Sequence, residues 1–115
     1  INNKLNNLKI QWALESCITI VLCSKGYPAN YLKNSEIKNL SHIKSDKKNH
    51  IFHAGTYEKN KKIFSNGGRV LNITTLAKNL KKARYEALNI LNKIKWKDGF
   101  FRKDIAWRVI KTKDI

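Results

Sequence analysis

Residues 50–75, HIFHAGTYEKNKKIFSNGGRVLNITT, decide the fold. His50 to Tyr57 reads as one strand. Glu58-Lys-Asn60 reads as a turn and Lys61 to Ser65 as a second strand. Asn66-Gly67-Gly68 reads as another turn and Arg69 to Thr75 as a third strand. Asn-Gly between β-prone runs is a strong hairpin signal, because both residues accept positive φ. The stretch predicts an antiparallel meander.

Upstream, Ser16 to Ser24 is a β-branched, nearly all-apolar run, which predicts a strand covered on both faces. Lys25 to Tyr31 is a loop punctuated by Gly26 and Pro28. Glu36 to Leu40 is a short strand or turn, and residues 41–49 form a charged surface loop. Residues 1–9 are polar and Asn-rich. Leu5 and Leu8 close a helix begun upstream, the tail of a preceding domain.

Downstream, Leu80, Ala83, Ala87, Leu88, Leu91 and Ile94 recur at helical spacing, opposite Lys81, Lys82, Glu86, Asn89 and Lys93. Asn79 is the expected N-cap. After Asp98-Gly99 the tail to Ile110 is aromatic and basic. Asp104 is placed to cap a short final helix and to pair with Arg108 at i, i+4. Strands followed by a long and then a short helix predict an α+β fold over residues 1–115, read as a single domain. It is an antiparallel sheet (meander) covered by one long helix, with a short C-terminal helix.

The net charge of +16 suggests a nucleic-acid binder. Yet 20 of the 24 basic residues are Lys, and Lys, Asn and Ile make up 48 of 115 residues. Their codons are rich in A and T, so much of the charge reads as genome bias on permissive surface. At 42% hydrophobic the chain is too apolar for a disordered tail. No apolar run approaches the roughly 20 residues of a membrane helix. There is no Met, which suits a piece of a longer or processed chain. Cys17 and Cys23 share a strand face too far apart to bond each other, and their spacing does not suit zinc. They read as thiols of a reducing compartment, the cytoplasm.

Where Lys dominates, Arg marks a need for the planar, bidentate guanidinium. Arg84 reads as part of a solvated helix face and Arg108 as the partner of Asp104. Arg69 directly follows Gly67-Gly68, whose amides can approach an anion. Backbone donors plus one Arg make a phosphate or carboxylate site, although an ordinary exposed hairpin explains the same residues. Arg102, beside Lys103 and two Phe, lies between these cases. His53 is followed by small residues that allow a ligand or a neighbouring strand to approach; the alternative is a core-edge histidine bonded to backbone. No nucleophile–base constellation, carboxylate pair, metal cluster or nucleotide-binding glycine loop is visible.

Five segments in order carry a resemblance. They are Cys17-Ile-Thr-Ile-Val-Leu-Cys-Ser-Lys-Gly-Tyr-Pro28 with Tyr31; Phe52-His-Ala-Gly-Thr56; Gly67-Gly-Arg-Val-Leu71 with Thr74; Leu80 through Ala83-Arg84; and Arg102-Lys-Asp-Ile105 with Arg108. Together the chain resembles the C-terminal domain of the glycinamide ribonucleotide synthetase (phosphoribosylamine–glycine ligase) family of ATP-grasp ligases. The resemblance implies a ligase that joins glycine to phosphoribosylamine in purine synthesis. It implies ATP and Mg²⁺ held by upstream ATP-grasp domains, with no cofactor, metal or catalytic residue held by this chain, which alone is inactive. It implies ribose-phosphate binding by Arg69 with Gly67 and Gly68, with His53, Thr56 and Arg102 as lesser candidates for substrate contact. Ala29, Ala77 and Ala106 stand where Gly is common, and Ala suits those places if φ is negative. Phe101 stands where Tyr is frequent. The alternative function is a small basic RNA- or DNA-binding domain. Lys25-Gly26-Tyr27 resembles the opening of an RNA-recognition strand, but Pro28 breaks it.

Overall fold

The run Ser16–Ser24 forms β1, and its burial alternates. Ile18, Ile20, Leu22 and Ser24 are buried, Cys17 and Thr19 are exposed, and Val21 and Cys23 are half-buried. Only one face is covered, not the two expected, because the strand lies in an antiparallel sheet with its long helix on one side. The computed structural model describes residues 5–112. Of the segment expected to end an upstream helix, Leu5–Asn7 is a 3₁₀ turn, and residues 1–4 lie outside the described residues.

Six further strands follow: β2 (Glu36–Ile37), β3 (Asn49–His53), β4 (Thr56–Lys59), β5 (Lys62–Ser65), β6 (Arg69–Ala77) and β7 (Gly99–Phe100). They form two antiparallel sheets, ordered β3-β6-β1-β7 and β2-β5-β4. The α+β class is as expected, with the meander divided between the sheets. β6 runs antiparallel to β1 from Ser16↔Ala77 to Leu22↔Leu71, and a bulge then brings Cys23 opposite Arg69.

The expected single strand from His50 to Tyr57 breaks at Ala54-Gly55. Both of these amides donate to the Val70 carbonyl, at 3.0 and 3.1 Å, which ends the ladder. β3 and β4 then enter different sheets. The tight hairpin is β4–β5. Asn60 and Lys61 have φ of 52° and 59°, and Lys59 pairs with Lys62. Positive φ at both central residues defines a type I′ turn. Asn66-Gly67-Gly68 closes no hairpin; it carries the chain from one sheet to the other.

The helix α1 (Leu80–Lys93) starts where Asn79 accepts a hydrogen bond from the Lys82 amide at 2.8 Å. Its buried residues are Ala83, Ala87, Ile90 and Leu91, with Leu80, Leu88 and Ile94 partly buried. They pack with Ile18, Ile20, Leu22, Leu71 and Ile73 of the sheet, while Ile37 and Trp96 join the core from the second sheet and the segment after α1. The buried Thr75 hydroxyl donates to the Ala83 carbonyl at 2.6 Å, so this polar side chain is satisfied by α1.

The final helix α2 (Trp107–Thr112) follows Ala106, whose φ is 63°. The condition that Ala106 sit at negative φ is therefore not met. Ala29 and Ala77 have no positive φ. Asp104 pairs with Arg102, through Nε at 3.2 Å and Nη2 at 2.9 Å, rather than with the expected Arg108. Arg108 instead lies over the Trp107 ring, 5.4 Å from its centroid. Arg84 is not a solvated helix-face residue. It is half-buried, its Nη2 donates to the Lys103 carbonyl and its Nε is buried, so it ties α1 to the C-terminal segment.

Candidate functional site

Three side chains stand in a row on the face of the larger sheet away from α1. Cys23 of β1 is opposite Arg69 of β6 on one side and Phe100 of β7 on the other. Beside this row lies a cavity of about 320 Å³, walled by Val21, Cys23, Tyr27, Phe100, Phe101 and Ile105, with Arg102 at its lining. A largely apolar hollow with few polar groups is the usual form of a small-molecule site.

Local sequence explains how this edge is built. Gly26 has φ of 95°, and a Cβ there would lie 2.0 Å from the Asn30 carbonyl oxygen, so only glycine makes this turn. The turn brings Tyr27 back over Gly68, whose missing side chain makes room for the ring. The Ser24 amide donates to the Gly68 carbonyl at 2.8 Å, and its hydroxyl donates to the Gly67 carbonyl at 2.7 Å. The carbonyl side of the Gly67-Gly68 turn is thus committed to β1. Gly55 packs directly on Gly67: a Cβ on Gly55 would lie 3.0 Å from Gly67 Cα and 2.7 Å from the Arg69 carbonyl oxygen.

Arg69 is exposed, and among the described residues its guanidinium makes no hydrogen bond or ion pair. Burial pushes the Cys23 thiol above its ordinary range, and the positive charge of Arg69 pulls it partly back. His53 Nδ1 and Thr56 Oγ1 are 2.8 Å apart, bracketing Ala54-Gly55. The close packing of Gly55 on Gly67 therefore brings His53, Thr56, Gly67, Gly68 and Arg69 to one end of the sheet. Arg102 lies across β1 from them, and its guanidinium is held by Asp104 in an exposed pair.

Sequence reading alone did not single out Tyr27 and Phe100 for this surface. Tyr27 had a signal in the Gly-Tyr-Pro turn, whereas Phe100 comes to the row only through its pairing with Cys23. A second, polar cleft of about 910 Å³ between the smaller sheet and the segment after α1 was also not anticipated. There the Ser35 hydroxyl donates to Asp98 at 2.6 Å. No group of three His, Cys, Asp or Glu among the described residues is placed to hold a metal ion. Among those residues no helix is long and apolar enough to cross a membrane.

Fold and surface together define a small α+β domain that offers one unpaired arginine beside an apolar hollow. The chain belongs to the family described as "Phosphoribosylglycinamide synthetase, C domain", whose sequence profile matches residues 17–108. It is 39% identical over 110 residues to the phosphoribosylamine–glycine ligase of Brucella melitensis, covering 96% of this chain and 26% of that protein. It is 40% identical over 114 residues to the Fusobacterium nucleatum ligase, covering 98% and 27%. The crystal structure of phosphoribosylamine–glycine ligase from Thermotoga maritima superposes with a TM-score of 0.65 at 32% identity, covering 78% of this chain and 22% of that one. The chain spans about a quarter of the length of these relatives. None of these similarities supports the nucleic-acid alternative.

Proposed function

We propose that this chain is the C-terminal domain of a cytoplasmic ATP-dependent ligase that joins glycine to 5-phosphoribosylamine in purine synthesis. In this reading it closes one wall of the active site, and Arg69 holds the substrate's ribose phosphate. The observation that carries the assignment to Arg69 is its exposed guanidinium, without a partner among the described residues, at the glycine-lined end of the sheet. A phosphate takes such a guanidinium bidentately, and the Gly67 and Gly68 amides, which directly precede Arg69 in the chain, are the candidate backbone donors. His53, Thr56 and Arg102 are flanking candidates.

The chemistry follows from the family. The glycine carboxylate takes the γ-phosphoryl group of ATP, releasing ADP. The amine of phosphoribosylamine then attacks the acyl phosphate, and phosphate leaves. ATP and Mg²⁺ are held by the upstream ATP-grasp domains, so this chain contributes orientation. Fixing the ribose phosphate fixes the amine relative to the acyl carbon, which converts an encounter of two molecules into a positioned one.

The test is Arg69→Ala in the complete ligase. Loss of a charge-assisted bidentate contact costs about 1.5–3 kcal/mol. The apparent KM for phosphoribosylamine then rises about 10- to 150-fold, with the KM for ATP nearly unchanged and Arg69→Lys recovering part of the loss. Unaltered phosphoribosylamine kinetics would overturn the assignment.

A further inference from the structure

From Leu8 to Leu22 every second residue is apolar except Ser16: Leu8, Ile10, Trp12, Leu14, then Ile18, Ile20 and Leu22. In β1 the even positions are the buried ones. The apolar stripe of residues 8–14 is therefore in phase with the core face of the strand that follows. A strand period of two continued through Ser16 would keep these side chains on one side of a single extended segment. Yet residues 8–13 belong to no helix or strand, and the stripe is open to solvent. Leu8 is 66% exposed, Ile10 66%, Trp12 84% and Leu14 101%. Four large apolar side chains exposed at alternate positions of one seven-residue segment are a concentration, unlike scattered surface leucines. A further edge lies alongside. β7 pairs with β1 at Cys23 and Ser24, and among the described residues no strand pairs with Ser16 to Leu22 on that side.

We propose that residues 8–14 are a docking strand that extends β1 and packs its Leu8-Ile10-Trp12-Leu14 face on the part of the ligase outside this chain. The choice of occupant rests on length. This chain matches about a quarter of its relatives, and the matched part is their C domain, so the other three quarters supply the missing surface. The inference rests on the reading of the chain as one domain of such a ligase. It goes beyond that reading in naming the segment through which the domain is held. Trp12 is the expected anchor, since a large aromatic gains most from being seated in a pocket.

Hydrogen exchange of residues 8–14 tests this in two samples, the 115-residue chain and the complete ligase. The amides should exchange at unprotected rates in the chain alone and about 100-fold more slowly in the complete protein. Trp12→Ser in the complete ligase should abolish that protection and let limited proteolysis release the domain. The same change in the 115-residue chain should leave its thermal unfolding unchanged, because Trp12 is already solvent-exposed there. Unprotected exchange in the complete ligase would overturn the proposal. So would protection in the isolated chain accompanied by a doubled mass in sedimentation, which would assign the stripe to a second copy. Turnover of glycine and phosphoribosylamine by the complete protein is a separate measurement. A protected segment in a protein without that turnover would sink the ligase reading and leave the docking strand standing.

Discussion

The ring of Tyr27 occupies the space that a side chain on Gly68 would need. A Cβ there would lie 2.1 Å from Tyr27 Cδ2 and 2.7 Å from Cε2. This contact joins the turn after β1 to the crossing between the sheets, and it sets one wall of the apolar cavity. Gly68→Ala must displace the ring, and forcing a methyl into a packed site costs about 1–3 kcal/mol. Urea unfolding should show that loss. In a Tyr27→Ala background the added cost of Gly68→Ala should largely vanish. Equal costs in both backgrounds would show that something other than the ring demands glycine.

Besides three asparagines, which tolerate it best, two described residues with side chains hold left-handed backbone, Lys61 at φ 59° and Ala106 at φ 63°. That conformation strains an L-residue by about 1–2 kcal/mol, partly offset in glycine by its freer unfolded chain. Lys61→Gly and Ala106→Gly are each expected to stabilise the chain by about 0.5–1 kcal/mol. Denaturant midpoints measure this directly, and a destabilised Ala106→Gly would contradict the left-handed entry into α2.

Arg69 and Cys23 are cross-strand neighbours, so the thiol reports on the guanidinium. Burial raises the Cys23 thiol's pKa and Arg69 opposes that rise. Removing the charge in Arg69→Ala should push the thiol further up. In a Cys17→Ser background, the pH profile of Cys23 alkylation by iodoacetamide should move to higher pH. Since Arg69 makes no hydrogen bond or ion pair among the described residues, the same variant should unfold at nearly the parent's denaturant midpoint. An unmoved profile would mean the guanidinium points away from the cavity.

Asp46 accepts hydrogen bonds from the Lys48 and Asn49 amides at 2.7 and 2.8 Å, and these hold its carboxyl below the ordinary carboxylate range. A carboxyl whose pKa is lower folded than unfolded stabilises the fold above its unfolded value. That contribution fades as pH falls through the folded value. Stability should therefore drop on acidification below about pH 4. Asp46→Asn should make that part of the drop shallower, which unfolding curves taken between neutral and acid pH would reveal.

How much was legible follows from how local each signal is. The helix was readable from Asn79 and the spacing of Ala83, Ala87 and Leu91, since a cap and a 3.6-residue period are properties of adjacent residues. Ile90 was missed because the buried arc is wider than the chosen stripe. The β1 run was readable as a strand, but which face would be covered was not, because that depends on where α1 lands. Turns are expected at both Glu58–Asn60 and Asn66–Gly68; the first does close a hairpin, centred one residue later on Asn60-Lys61, whereas the second closes none. Gly67 and Gly68 serve another purpose: their small size admits Gly55 and Tyr27, neighbours distant in sequence. Asp104 was matched with Arg108 by helical spacing, but α2 begins only at Trp107, so that spacing does not apply and Arg102 takes the carboxylate.

The sequence by itself determined the α+β class, the position and cap of the long helix, the antiparallel strands and the family resemblance, because periodicity, capping and motif order reside in nearby residues. Only the tertiary structure decided that the strands divide into two sheets and that Arg69, Cys23 and Phe100 form one row. It alone left Leu8, Ile10, Trp12 and Leu14 uncovered. Strand pairing and burial are settled by which distant segments exclude water together, and spacing along the chain does not encode that choice.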